Sequence, residues 1–350
     1  MKTALITGIT GQDGAYLAKF LLSKGYSVYG TYRRLSTPNF WRLKALEIQD
    51  KVDLISMDLH DTSSIIECID NSSPDEIYHL AAQSFVGASF EQPLSTGDIT
   101  GIGTTRMLEA VLKFRGDVKF YNAATSELYG NSSAGLLDEE SDFKPRSPYS
   151  IAKLYSFWMT KTYHKAYGLY AVNGILFNHE SPLRGLEFVT RKITNTLARI
   201  KLGLETKLYL GNVSSFRDWG YAPDYVEGMW KMLQQDEPED YVLATGETHS
   251  VLDFLRVASE LAGLDYEEVL HISDDLKRPL EVDKLIGNPH KAEIQMGWKP
   301  KIKFRDLVKI MYNEDLKRWG EYLSGTPVMW DAMSYIEENR IVRTRYRIDR

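Results

Sequence analysis

The stretch "ITGITGQDGAYL", residues 6–17, decides the fold. The apolar run "TALIT" leads into it and the amphipathic run "GAYLAKFLLSKG" continues from it, so it joins a predicted strand to a predicted helix. Its glycines, Gly8, Gly11 and Gly14, permit a tight turn, a close approach of the backbone to a pyrophosphate and close packing of helix on strand. Unless they only shape an ordinary turn, they predict a dinucleotide site at a helix N-terminus.

The same alternation of short apolar and longer amphipathic runs continues for about half of the chain. It predicts an α/β fold, a Rossmann-type doubly wound parallel sheet with a smaller mixed α/β substrate domain. We assign residues 1–177 plus about 212–245 to the nucleotide domain, and residues 178–211 plus about 246–324 to the substrate domain. The segment "NHESPLRG" reads as a loop, and residues 325–350 form an arginine-rich C-terminal tail.

Composition narrows the classes of function. The formal net charge is −6 with both signs interspersed, so no basic field for nucleic acid or an anionic membrane is expected. No run approaches the ~18 apolar residues of a spanning helix, and no leader precedes the first strand. We therefore expect a cytoplasmic enzyme without a metal site.

The ends of the predicted strands suggest which dinucleotide binds. The second strand, in "YGTYRRLS", ends on Arg33 and Arg34, where a carboxylate would suit a free ribose hydroxyl and an arginine suits a 2′-phosphate. NADP is therefore favoured over NAD, although a pair of solvated surface arginines would look the same. Asp58 and Leu59 end the third strand near the expected adenine, where Asp58 could equally cap a helix. The segment "LAAQS", with Leu80, Ala82 and Ser84, closes the next strand over the cofactor.

Two further motifs carry chemistry. Tyr149 and Lys153, in "SPYSIAK", stand four apart on a predicted helix and hence on one face, where the lysine would lower the pKa of the phenol and make it a base. Ser147 and Pro148 begin that helix as N-cap and first-turn residues. The strand "DVKFY" is followed by "NAATSELYG", which places Thr125 and Glu127 where a parallel strand ends. Glu127 alone could be only a helix-start carboxylate.

Taken together, these motifs resemble the extended short-chain dehydrogenase/reductase superfamily. The segments "GITGQDGAYLAKFLLSKGY", "TSELYG", "RSPYSIAKLY", "NGILFNHESPLRG", "RDWG" and "RPLEVD" resemble, in order and spacing, the GDP-mannose 4,6-dehydratase family over residues 3–319. The resemblance implies a lyase that converts GDP-D-mannose to GDP-4-keto-6-deoxy-D-mannose, a first step toward GDP-fucose or other GDP-deoxyhexoses. NADP would be tightly bound and regenerated in each turnover.

The resemblance also implies a role for each catalytic group. Tyr149, supported by Lys153, would remove the proton of the 4-hydroxyl while Thr125 hydrogen-bonds the same oxygen. Glu127 would take the carbon 5 proton and protonate the departing 6-hydroxyl, work that suits a carboxylate shielded from water. A reductase or epimerase of this fold has no need of that acid.

Binding roles follow in the same way. The predicted cofactor contacts are Gly8, Gly11, Gln12, Asp13, Gly14, Arg33, Arg34, Asp58, Leu59, Leu80, Ala82, Ser84, Tyr149, Lys153, His179 and Arg184. The predicted contacts to the GDP-sugar are Ser84, Asn178, Val189, Lys192, Arg217, Arg278 and Glu281, among which Arg217 and Arg278 could instead be surface salt-bridge residues. Arg42 resembles a residue through which neighbouring subunits touch each other's cofactor, so a homo-oligomer, dimer or tetramer, is expected.

Other functions remain open at this stage. A dehydratase of the same mechanism could act on another GDP-hexose or heptose. A nucleotide-sugar epimerase or oxidoreductase would be favoured if Glu127 pointed away from the sugar. A non-catalytic NADP-binding regulator would require the loss of Tyr149 or Lys153, and both are present.

Overall fold

The predicted alternation of strands and helices forms a seven-stranded parallel sheet with helices on both faces. The computed structural model describes residues 1–132, 135–276 and 280–326, so Arg278 and the tail from residue 327 lie outside the described residues. The sheet and its helices comprise β1 (Thr3–Thr7), α1 (Gln12–Ser23), β2 (Ser27–Tyr32), α2 (Trp41–Ala45), β3 (Asp53–Ser56), α3 (Thr62–Ser72), β4 (Glu76–His79), α4 (Val86–Glu91), α5 (Pro93–Thr96), α6 (Gly103–Phe114), β5 (Lys119–Thr125), α7 (Pro148–Tyr167) and β6 (Ala171–Leu176).

The remainder forms shorter elements. They are β7 (Asn178–Glu180), α8 (Val189–Lys201), β8 (Leu208–Leu210), β9 (Phe216–Arg217), β10 (Trp219–Tyr221), α9 (Ala222–Leu233), β11 (Tyr241–Leu243), β12 (His249–Ser250), α10 (Val251–Ala262), α11 (Tyr266–Val269), β13 (Leu270–Ile272), α12 (His290–Met296) and α13 (Phe304–Leu323). None of the described helices is long and apolar enough to cross a membrane.

The order of strands in the sheet creates the site. The order is β11-β6-β5-β4-β1-β2-β3, so the chain leaves β3 at one edge and returns to β4 beside β1. At such a switch point the loops after neighbouring strands turn in opposite directions and leave a crevice at the carboxyl ends. The glycine turn follows β1 at this point, which confirms the predicted Rossmann-type fold.

Apolar side chains from the helices cover both faces of the sheet. On one face Leu17 of α1 and Met229 of α9 pack in one buried cluster. On the other face Ile65 of α3 and Met107 of α6 pack in another. Because both faces are covered, the inner strands are buried, and the polar groups at their carboxyl ends lie in a crevice partly shielded from water.

A separate hydrophobic core lies in the second region. It joins α8, α10 and α13 through side chains such as Leu197, Phe254 and Trp319. Residues near the end of the predicted substrate domain pack elsewhere, since Val282 and Trp298 are buried in clusters belonging to the sheet. The domain limits drawn from the sequence therefore stay a prediction, and the packing favours moving residues 282–298 to the nucleotide domain.

Two local predictions differ from the structure. The segment "NHESPLRG" begins not as loop but as strand β7, whose residue Asn178 pairs with Trp219 of β10 in parallel. A three-residue polar strand has no apolar alternation to reveal it. Helical structure also begins well before the predicted "TTRMLEAVLKF", because α4, α5 and a wide helical turn over Gly97–Ile102 precede α6.

Candidate active site

The glycine turn is as tight as its spacing predicts. Gly8 has φ +73°, a left-handed conformation that side chains with a Cβ rarely adopt. A Cβ on Gly14 would lie 2.5 Å from the carbonyl oxygen of Gly8, so only glycine lets α1 approach β1 this closely. Helix α1 begins at Gln12 with Gly11 as N-cap and without a side-chain cap. An anion at this N-terminus would therefore meet the helix directly.

The predicted adenine side lies at the ends of β2 and β3. Arg33 and Arg34 follow β2 and are exposed, while Leu59 is buried. Asp58 does not cap α3, a role taken by Asp61, whose carboxylate accepts from two backbone N–H groups. Instead Asp58 accepts from the backbone N–H of His60 at 3.0 Å. This bond, and to a smaller degree the charge of Arg33, holds the pKa of Asp58 below its ordinary value.

The segment after β4 lies directly over the glycine turn. A Cβ on Gly8 would be 3.1 Å from the Cα of Ala81. Leu80 and Ala82 are half-buried there, whereas Ser84 is exposed. The predicted cofactor contacts in this segment are thus grouped at the switch point.

Four predicted catalytic side chains are brought together at the carboxyl end of β5. Thr125 is the last residue of β5, Glu127 follows in a short helical turn, and Tyr149 and Lys153 come from the first two turns of α7. The helix starts where predicted, with Ser147 as N-cap in a capping box. All four side chains are at least nine-tenths buried.

Hydrogen bonds orient two of these groups. The Lys153 ammonium donates to the carbonyl oxygen of Ala123 at 2.6 Å, which ties α7 to β5. The Thr125 hydroxyl oxygen accepts from the backbone N–H of Glu127 at 3.2 Å. Because that bond uses a lone pair, the hydroxyl can still donate its proton, and it hydrogen-bonds the phenol of Tyr149.

The ionisation of Tyr149 differs from the prediction. Burial raises the pKa of the phenol to about 12, with Thr125 acting in the lowering direction and the charge of Glu127 raising it further. Burial also lowers the pKa of Lys153 to about 8. Loss of hydration therefore has the largest effect on the phenol, and the lowering of its pKa by Lys153 stays a prediction. The charge of Glu127 thus acts on the phenol, and both groups belong to the carboxyl end of β5.

Asp13 and His179, both predicted as cofactor contacts, form an ion pair. The imidazole Nε2 lies 2.8 Å from Asp13 Oδ2, and Nδ1 lies 2.7 Å from the carbonyl oxygen of Phe177. With an acceptor at each nitrogen, the ring holds two protons. Burial lowers the pKa of His179, but the charge of Asp13 and both hydrogen bonds outweigh it, so the pKa is raised. The pair joins the first turn of α1 to β7.

The neighbouring side chains are also engaged within the chain. Gln12 donates to Asp13 Oδ1 at 2.9 Å and to the carbonyl of His179 at 3.1 Å. Arg184 lies over the ring of Phe188, 3.5 Å from its centroid, and 3.2 Å from Glu180. These contacts leave less of Gln12 and Arg184 for a nucleotide than the sequence suggested.

The predicted contacts to the GDP-sugar differ in burial and in hydrogen bonding. Asn178 has a buried side-chain oxygen without a hydrogen-bond partner, as expected of a group that awaits a ligand. Arg217 is buried and donates to the carbonyls of Phe216 and Val282 at 2.9 and 2.8 Å, so it is not a surface salt-bridge residue. Val189 and Lys192 lie half-buried on the first turn of α8, and Glu281 is half-buried after the gap that contains Arg278.

Two residues have structural contacts that sequence reasoning did not assign. Asp218 is fully buried and accepts from the backbone N–H groups of Thr245, Gly246 and Gly287 at 2.9, 3.0 and 3.2 Å. Burial raises its pKa to about 6. Its place after Arg217 in "RDWG" was the only available signal. Arg42, expected at a subunit contact, donates to the carbonyls of Leu183 and Thr10 at 2.7 and 3.1 Å within the same chain.

Comparison with known proteins supports the resemblance seen in the sequence. The model of the GDP-mannose 4,6 dehydratase family matches residues 5–311. GDP-mannose 4,6 dehydratase 1 of Arabidopsis thaliana is 51% identical over 326 residues, which are 90% of this chain and 90% of the relative. The human GDP-mannose 4,6 dehydratase is 47% identical over 339 residues, 90% of this chain and 91% of the relative.

Solved structures show the same fold at lower identity. DesIV, the dTDP-glucose 4,6-dehydratase of Streptomyces venezuelae with NAD and TYD bound, superposes with a TM-score of 0.81 at 21% identity, covering 91% of this chain and 98% of that chain. RMD of Pseudomonas aeruginosa complexed with NADPH gives a TM-score of 0.75 at 22% identity, covering 91% of this chain and 98% of that one.

A doubly wound sheet with a tyrosine and a lysine four residues apart on the helix after β5 defines a short-chain dehydrogenase/reductase of the extended type. Within this class, the sequence is 51% and 47% identical to the two dehydratases above, in each case over 90% of this chain. The chain belongs to the GDP-mannose 4,6-dehydratase family.

Proposed function

We propose that this protein is an NADP-dependent GDP-mannose 4,6-dehydratase, a lyase that forms GDP-4-keto-6-deoxy-D-mannose and water. The observation that carries the proposal is the buried carboxylate of Glu127 beside Tyr149, in a chain 51% identical to a curated GDP-mannose 4,6 dehydratase. A reductase or epimerase needs the tyrosine and the threonine, but only an elimination needs the additional acid.

The residues present fit a nicotinamide dinucleotide. Gly8 and Gly14 form the tight turn that brings the N-terminus of α1, where the pyrophosphate would lie, close to the end of β1. The exposed cations Arg33 and Arg34 stand at the end of β2, where a 2′-phosphate would lie, and a phosphate is a good partner for a guanidinium. When bound, NADP would accept a hydride from carbon 4 of the sugar and return it to carbon 6.

Tyr149 acts as the base for the 4-hydroxyl. Burial raises the pKa of the phenol to about 12 and keeps it neutral at pH 7, and bound NADP would supply a positive charge that favours the phenolate. The Thr125 proton, which its bond from the Glu127 N–H leaves available, would then stabilise the oxygen as it becomes a carbonyl. Lys153 holds the helix to β5 while its ammonium supports the phenolate.

Glu127 acts in the elimination. Once carbon 4 is a ketone, the proton on carbon 5 is acidic, and a carboxylate can remove it. The same carboxyl group then gives its proton to the 6-hydroxyl, which departs as water. The carbon 5 to carbon 6 double bond formed in this step receives the hydride at carbon 6 and a proton at carbon 5. The new proton at carbon 5 would be the one that Tyr149 took from the 4-hydroxyl, and the hydride returns to the sugar, so no external reductant is needed.

One assay tests the proposed function. The purified protein, loaded with NADP and given GDP-mannose, should form a 4-keto-6-deoxy sugar nucleotide, followed by mass spectrometry as the loss of one water. The absorbance of reduced nicotinamide should not increase with product. Stoichiometric accumulation of NADPH would show an oxidoreductase instead, and turnover of a different GDP-hexose or a GDP-heptose in preference to GDP-mannose would overturn the substrate assignment.

A further inference from the structure

A chain of buried polar side chains runs beneath the site without touching its solvent-accessible surface. Its members are Thr7 at the end of β1, His79 at the end of β4, Thr104 on α6 and Ser156 on α7. None is more than 1% exposed. Buried polar groups are costly unless each is satisfied, so a connected set of them calls for an explanation.

This series of hydrogen-bonded side chains begins at the glycine turn. The Thr7 hydroxyl oxygen accepts from the backbone N–H groups of Leu80 and Ala81, each at 3.1 Å. With both lone pairs used, its own proton must go to His79 Nδ1, 2.9 Å away. The Thr7 side chain thus holds the two segments that meet at the glycine turn, the end of β1 and the stretch after β4.

The proton on Thr7 determines the state of the histidine. Since Nδ1 accepts, His79 carries its hydrogen on Nε2 and donates it to Thr104 Oγ1 at 3.2 Å. Burial lowers the pKa of His79 to about 3, so the ring is neutral and keeps one tautomer at neutral pH. The imidazole is therefore a rigid connection between the glycine turn and α6.

Thr104 is the point where two connections meet. Its hydroxyl donates to the carbonyl of Thr100 at 2.9 Å and lies 2.9 Å from the Ser156 hydroxyl. Ser156 follows Lys153 by three residues, so it belongs to the same face of α7. Its hydroxyl is also 3.2 Å from Asn122 Oδ1 on β5, the strand that carries Thr125.

We propose that Thr104 is a positioning residue, which through His79 fixes the glycine turn and the Leu80–Ala81 backbone and through Ser156 fixes the rotation of α7 with Tyr149 and Lys153. The cofactor side and the catalytic helix are thereby held in one geometry by a single hydroxyl. The effect on catalysis rests on the proposed dehydratase function, whereas the effect on NADP binding does not.

The test compares two isosteric hydroxyl deletions. Thr104→Val removes the central hydroxyl and keeps the side-chain volume, and we expect an NADP Kd about tenfold higher and a kcat at saturating NADP about fivefold lower. Thr160→Val is the matched control, because Thr160 is equally buried on α7 but donates only to the Ser156 carbonyl of its own helix, at 3.0 Å. The control should change the melting temperature and leave both constants within about twofold of the wild type.

A third variant separates the two connections. Ser156→Ala removes the link from Thr104 to α7, together with the contact to Asn122, and leaves the bond between Thr104 and His79 intact. The kcat should therefore fall about threefold while the NADP Kd, measured by calorimetry, stays unchanged. If Thr104→Val matched Thr160→Val in both constants, the positioning role would be wrong even with an active wild-type dehydratase. A wild-type protein without dehydratase activity would refute the proposed function, and a raised NADP Kd in Thr104→Val alone would then still support the cofactor half of the inference.

Discussion

At the scale of single residues, the role proposed for Glu127 is the one that would distinguish a dehydratase from its relatives with other chemistry. Glu127→Gln keeps the side-chain volume and the backbone bond to Thr125 but removes the group that moves protons. We expect the rate of water loss to fall at least about 100-fold. Oxidation at carbon 4 does not need this carboxylate, so slow, substrate-dependent formation of reduced nicotinamide should appear in rapid-mixing absorbance measurements.

Glu127→Asp serves as the control for that experiment, because it retains an acid at shorter reach. It should keep a measurable part of the activity and show no accumulated NADPH. Full dehydratase activity in Glu127→Gln would contradict the assigned role and leave the carboxylate as a helix-start residue.

Arg33 provides a second test at this scale, of the choice between NADP and NAD. Arg33→Ala should raise the Kd of NADP about 10-fold to 100-fold, the usual effect of losing a charge-assisted bond to phosphate. The Kd of NAD, measured by the same calorimetric titration, should not change because NAD has no 2′-phosphate. Lys51→Ala, which removes another exposed cation just before β3, at the opposite end of the parallel sheet, should affect neither. Equal losses of NAD and NADP in Arg33→Ala would rule out a 2′-phosphate contact.

At the scale of elements, α7 bears a cost in stability for its function. Lys153 is 4% exposed, and burial lowers its pKa from 10.5 to about 8. The unfolded chain thus binds the proton more tightly, and between these two pKa values the stability of the wild type rises with pH. Lys153→Met should therefore raise the free energy of unfolding at pH 7 by about 1–2 kcal/mol, after about 1 kcal/mol is lost with the bond to Ala123. The same Lys153→Met substitution should also abolish activity.

Urea unfolding at pH 7 and pH 9 checks this, since the advantage of Lys153→Met must shrink above about pH 8. Lys161→Met is the control on the same helix; this half-buried lysine pairs with Asp240 at 3.3 Å, and its replacement should not stabilise the protein. A Lys153→Met protein less stable than the wild type at pH 7, or one whose difference did not depend on pH, would contradict the argument.

The elements also show which parts of the site the sequence could predict. The glycine turn and the Tyr149–Lys153 face are defined within one turn or one helix, where local spacing fixes the geometry. The Asp13–His179 pair joins residues 166 apart, and β7 reveals itself only through its pairing with Trp219–Tyr221. The raised pKa of Tyr149 is hidden from local sequence for a related reason, because desolvation depends on the whole surrounding fold and not on the neighbouring lysine alone.

At the scale of the whole molecule, one exposed row of side chains is the expected contact between subunits of the predicted homo-oligomer. On α7 the side chains of Ile151, Tyr155 and Trp158 are 57%, 41% and 52% exposed, on the helix face opposite to buried Lys153 and Ser156. Large apolar side chains in one exposed row are costly in water, and a row on a single helix can pair with its own copy about a two-fold axis. We therefore expect a second subunit to cover this row.

Trp158→Glu should place a charge in the centre of that contact and lower the sedimentation coefficient toward that of a 40.0 kDa monomer. Ile294→Glu is the control, since Ile294 is 70% exposed on a different helix, α12, and its replacement should leave the assembly intact. Because the opposite face of α7 carries Tyr149 and Lys153, the Trp158→Glu monomer should also have a lower kcat at saturating NADP, while Ile294→Glu keeps the wild-type value. Identical sedimentation of both variants and the wild type would show that the subunits meet elsewhere.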